Sequence, residues 1–192
     1  MHLRHNQIRD LEIKMLREVC YDVKKEPVLL PLTGETLNHK SANRAPDARA
    51  DISCRSVYNN LDKVLFDVRC FHDGAASNET SKDAFKKHED EKKRSYNQRV
   101  LEVEKASFVP LVFSTSGGMG KEAEAFHKRL AVLISNKRGI LYSEAMSFIR
   151  RQLRFCILRT VLMSVRGYRG KEIRHDDPNS DINLIPNEQQ YY

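Results

Sequence analysis

The stretch KVLFDVRCF (63–71) decides the fold and poses the main chemical question. It is almost uniformly apolar and rich in β-formers, so it reads as a central, buried strand. Asp67 stands in its middle. An isolated carboxylate is costly to bury, so this acid needs a counter-charge, a metal ion or protonation. By strand alternation Asp67 shares a face with Leu65, Arg69 and Phe71.

Immediately upstream, RADISCRSV (49–57) alternates Arg49, Asp51 and Ser53 against Ala50, Ile52 and Cys54, the period of a strand with one polar side. The intervening YNNLD has turn chemistry, so the two strands form a hairpin. Asp51 and Asp67 can then converge on one sheet face. Further upstream, Ile8, Leu11, Met15 and Val19 mark an amphipathic helix over 4–21, with Glu18 on or beside its core-facing stripe. EPVLLPLTGE (26–35) reads as a short edge strand ending in a turn, and 36–47 as a loop.

Downstream, Thr80 or Ser81 can cap a long charged helix over 82–105, whose thin apolar edge is Phe85, Tyr96, Val100 and Val103. SFVPLVFSTSGG (107–118) is a strand ending in glycines. Helices follow over 121–137, marked by Ala123, Phe126, Leu130 and Leu133, and from Ser143 to about Val165. The order is helix, strand, strand, strand, helix, strand, helix, helix: an α/β (α+β) fold with a mixed sheet. There is no internal repeat.

The charge is uneven. A formal net charge of +7 makes a polyanion the leading kind of partner, and residues 137–174 hold ten Lys or Arg against Glu144 and Glu172. The most apolar run, Leu153 to Val165, is short and broken by Arg154 and Arg159, so no membrane span is expected. Four scattered cysteines without a paired spacing, and no secretory segment, point to core thiols in a reduced intracellular compartment.

Several familiar motifs fail. STSGGMGKE (114–122) has Thr115 where a phosphate loop needs glycine and Glu122 where it needs Ser or Thr. It reads instead as a strand-to-helix turn requiring positive φ, with one backbone-phosphate contact at the helix start left open. Histidine and cysteine spacings fit no structural zinc site, and the histidines read as surface residues. No serine or cysteine nucleophile stands out. The acid pair has two readings: Asp51 and Asp67 as a hard-oxygen Mg²⁺ site, or as ion-pair partners of Arg49 and Arg69.

At these residues the chain resembles a known family. RADI followed by LFDVRCF is similar to the Arg-Pro-Asp-Ile and Asp-Val pattern of the restriction-like endonuclease domain, of PD-(D/E)xK type, that follows the reverse transcriptase of many non-LTR retrotransposons. The likeness spans about residues 4–166. It implies a restriction-endonuclease-like α-β-β-β-α-β core over 1–136; the charge balance makes 137–174 a basic helical extension, and the acidic, polar composition of 175–192 makes it a disordered tail. It implies that Asp51 and Asp67, completed by Glu18, hold Mg²⁺ or Mn²⁺, and that the protein nicks DNA in the nucleus. Arg69 occupies the place of the usual lysine and is a poor general base, so the resemblance looks to the next helix, where Lys93 with Tyr96 matches. Arg150, Arg151, Arg154 and Arg159 would hold the duplex backbone. The alternative is a catalytically inactive retroelement remnant that binds nucleic acid or serves a structural role. In it the acids only pair with arginines.

Overall fold

The computed structural model of the chain describes residues 2–30, 49–59, 61–72 and 81–166. Within them lie α1 (His2–Val19), β1 (Tyr21–Lys25), β2 (Ile52–Arg55), β3 (Lys63–Phe71), α2 (Ser81–Gln98), β4 (Ser107–Ser114), α3 (Lys121–Arg138) and α4 (Tyr142–Arg166). The protein is a mixed α/β fold with a four-strand mixed sheet flanked by helices. The sheet runs β1-β2-β3-β4, with the first two pairings antiparallel and β3 parallel to β4.

KVLFDVRCF is the central strand, and its alternation sorts the two faces. Val64, Phe66 and Val68 enter the main core, where the Phe66 ring lies 4.8 Å from that of Phe126 on α3. Leu65 points the other way, into a smaller cluster with Leu29, Ala50, Val100 and Ala106. Phe71 meets Phe85 of α2 at 4.9 Å on that second side. Thus α2 covers one face of the sheet and α1 with α3 the other. Pro110 sits within β4, which is tolerated because β4 is an edge strand of the described sheet.

α1 is buried on more than the single stripe expected from Ile8, Leu11, Met15 and Val19. It touches β1 to β3 on one side and α4 on the other, so Ile13 and Leu16 are buried as well. Ala145, Met146, Ile149, Leu153 and Ile157 of α4 enter the same main cluster as the sheet and α1. Within the expected basic extension, α4 is packed onto the core.

The first strand differs from its expected place. It begins directly after α1, at Tyr21, and not in EPVLLPLTGE (26–35). Asp22 and Glu26 take positive φ of 51° and 49° at its ends, and a register shift between Tyr21 and Lys24 accommodates the sharp entry from the helix. Val28 keeps only an isolated bridge to Arg49. Residues 31–35 of the expected strand, the loop 36–47, Thr80 and the tail 175–192 lie outside the described residues. α2 is α-helical to Gln98 and then widens into a π-helical turn, Arg99–Val103, where the expected helix ran on to 105.

Two expectations about single groups change. His127 is buried, with Nε2 2.8 Å from Glu12 Oε1, joining α3 to α1; pairing is what makes such burial tolerable. At the glycine turn Gly117 takes φ 93°, as the turn reading requires. The start of α3, however, already has its anion. Glu89 of α2 accepts the Glu122 N–H at 3.0 Å, and a Cβ at Gly120 would lie 2.1 Å from the same carboxylate oxygen. The protein's own carboxylate fills the place left open for a phosphate.

Candidate functional site

The site grows from the β2–β3 register. Ile52 faces Phe66, Ser53 faces Leu65 and Cys54 faces Val64. Asp51, one residue before β2, donates its N–H to the Phe66 carbonyl at 3.0 Å, and its carboxylate lies near enough to Asp67 to act on that group's charge. Like charges brought together on neighbouring strands are destabilising, so this juxtaposition works against the fold unless something compensates it.

Two basic side chains do so. Lys92 of α2 brings its Nζ to 2.6 Å from Asp67 Oδ2, as an ion contact without the alignment of a hydrogen bond. His5, in the first turns of α1, lies 3.0 Å from Asp51 Oδ2, and the Val68 N–H donates to that same oxygen at 2.6 Å. Asp67 is 5% exposed. Burial pushes its carboxyl above the ordinary range; Lys92 opposes this and Asp51 reinforces it. Tyr96 closes the site: its hydroxyl donates to the Arg49 carbonyl at 3.1 Å, and its ring stacks on Phe108 at 4.9 Å. Burial, with Asp67 beside it, raises the Tyr96 hydroxyl well above its usual range.

Of the residues singled out in the sequence, the structure brings together Asp51, Asp67 and Tyr96. Glu18 is elsewhere. It holds Arg138 through both oxygens, at 2.5 and 2.7 Å. Thirteen residues of helix separate it from His5, about 20 Å at the α-helical rise, so it cannot join Asp51. Lys93 pairs with Glu122 at 2.5 Å, and Arg69 with Glu91 at 2.8 Å. The expected arginine partners are therefore corrected: the basic partner of Asp67 is Lys92, and that of Asp51 is His5.

Among the described residues no group of three or more His, Cys, Asp or Glu is arranged to hold a metal ion. Two carboxylates remain. Mg²⁺ commonly takes one or two protein carboxylates and fills its other positions with water and phosphate oxygens. The donor set of Asp51 and Asp67, with an Asp67 oxygen that lacks an aligned hydrogen bond, fits that chemistry.

The Asp51 hydrogen bond, together with the charge of that carboxylate, raises the His5 pKa against burial. A base whose pKa is raised on folding contributes stability that is complete below its unfolded value, about 6.5, and is lost as pH rises through the folded value. Thermal melts between pH 6 and 9 are therefore expected to show wild type losing stability with rising pH more than His5→Gln does.

Arg150, Arg151 and Arg154 lie apart from the acids. They line a groove of about 770 Å³ on the outer side of α4, with Lys128 of α3. Arg159 is exposed one turn further on. No described helix is long and apolar enough to cross a membrane. Compared with known proteins, the chain matches no family model and no curated protein.

Proposed function

We propose that this chain is a metal-dependent DNA endonuclease domain with a restriction-endonuclease-like core, of the kind attached to non-LTR retrotransposon reverse transcriptases. The observation that carries the reading is that Asp51, Asp67 and Lys92 lie together, with the Asp51 carboxylate on the Val68 N–H beside Asp67 and Lys92 on Asp67 itself. The element order and the antiparallel β1-β2-β3 run, followed by α2 and a parallel β4, support it by agreeing with the core the resemblance implies.

Asp51 and Asp67 would hold Mg²⁺ or Mn²⁺, which when bound supplies an activated water and neutralises charge on the attacked phosphate. Lys92 takes the role of the motif lysine that Arg69 cannot fill. Its ammonium, freed from Asp67, stabilises a phosphate oxygen at a site shielded from water by α2. His5 and the Val68 N–H fix the orientation of the Asp51 carboxylate, and Tyr96 sets the wall against which Asp67 is held. Nicking of chromosomal DNA in the nucleus is the activity this assignment carries.

The test is nicking of a supercoiled plasmid with Mg²⁺, by wild type and by Asp67→Ala. Nicking by wild type alone supports the reading. Equal nicking by both would identify a contaminant. A second reading, an inactive remnant of the same fold, has two observations in its favour: Lys92 already neutralises Asp67, and among the described residues no third carboxylate joins the pair. Nicking by neither protein would select it.

A further inference from the structure

The outer groove of α4 is built unlike a surface that only grips a duplex backbone. Phosphate contacts need cations and donors, not apolar walls. Here Tyr142, Met146, Phe155 and Leu158 share the lining with Lys128, Arg150, Arg151 and Arg154. Phe155 is 64% exposed, Leu158 54% and Tyr142 44%. Single exposed apolar residues are ordinary, but their gathering in one groove marks a binding site.

The cations are available. Lys128 pairs with Glu124 at 2.8 Å. Among the described residues no salt bridge or hydrogen bond holds Arg150, Arg151 or Arg154, and Arg150 only helps to lower the nearby Glu124 carboxyl. Arg151 and Phe155 are four residues apart on one helix, as are Arg154 and Leu158, so guanidinium and apolar surfaces alternate along the groove. Tyr142 and Phe155 are separated by about 20 Å of helix, room for a run of a few nucleotides.

We propose that this groove binds single-stranded nucleic acid, with the arginines on successive phosphates and bases stacked on Tyr142 and Phe155. A single strand offers both a polyanionic backbone and open π-faces; a duplex hides its base faces in the stack. This rests on the nucleic-acid half of the reading above and not on its metal chemistry. It replaces the expected duplex-backbone role for Arg150, Arg151 and Arg154.

The test is fluorescence anisotropy of the full chain with labelled oligothymidylate and with a duplex of equal length, in EDTA so that no cleavage intervenes. The single strand is expected to bind about tenfold tighter than the duplex. Phe155→Leu, an exposed change that keeps the fold, should remove most of that preference. Arg151→Ala with Arg154→Ala should weaken binding and flatten its salt dependence. Measuring in EDTA, with no metal on the acid pair to hold a phosphate, separates this groove from the acid site. Equal affinity for duplex and single strand with no effect of Phe155→Leu would overturn the proposal. So would a folded protein that binds neither oligonucleotide, or one that binds an acidic amphipathic helical peptide in preference to oligothymidylate.

Discussion

Lys92→Ala is expected to lower stability by about 3 kcal/mol at pH 8 and by clearly less at pH 5. Removing one partner of a buried ion pair leaves the other charge uncompensated, which costs about 3 to 5 kcal/mol. The lower end applies because the Lys92 side chain is 24% exposed and water already shares its charge. The pH dependence follows from Asp67. Its folded carboxyl is already raised by burial, so between the ordinary and the raised value the folded state binds protons more strongly than the unfolded state. Stability from this group is present below the ordinary carboxylate pKa and falls as pH rises to the raised value. Without Lys92 the folded value climbs further, and protonation at pH 5 relieves the variant but not at pH 8. Denaturant melts at the two pH values check this, and an equal loss at both would mean that Lys92 contributes packing alone.

Asp67→Asn is expected to act oppositely on the two properties of the protein. It removes a desolvated charge and the repulsion of Asp51 across the strand pair, while Lys92 can turn to water. Stability should rise by about 1 kcal/mol, as when a functional site built against the fold is relieved. Mg²⁺-dependent nicking should fall at least about a thousandfold, because an amide is a far poorer ligand for a hard cation. If Asp67 were only a structural partner of Lys92, the same substitution would lower stability. Melting and nicking assays on one preparation distinguish the two.

Most of the frame is legible in the sequence. The alternation of KVLFDVRCF sorted its faces correctly, and the hairpin spacing brought Asp51 to Asp67. The first strand was harder. Tyr21–Lys25 is a largely polar edge strand with no alternation to reveal it, whereas the apolar Val28 to Leu30 drew attention to a stretch holding only a bridge. Lys92 was legible but missed. Phe85, Glu89, Lys92, Tyr96 and Val100 follow one helical stripe, and Lys93 falls beside it; the buried Glu89 disguised the phase by placing an acid at an inward position. Glu18 was misplaced for a different reason. Helix periodicity gives the face a residue shares but not its height along the sheet, and Glu18 is at the far end of α1 from His5. His5 itself carried only the weak signal of lying three residues before Ile8 on the same helix.

Binding of Mn²⁺, followed by the loss of the free-ion electron paramagnetic resonance signal, interrogates the acid pair without requiring the right DNA substrate. One equivalent should bind to wild type, with that binding lost in Asp51→Asn and in Asp67→Asn and retained in Glu18→Gln. Lys92→Ala should bind Mn²⁺ more tightly than wild type, since the ammonium and the metal ion compete for Asp67. Absence of binding, or binding indifferent to both aspartates, would contradict the assignment of Asp51 and Asp67 as a metal site.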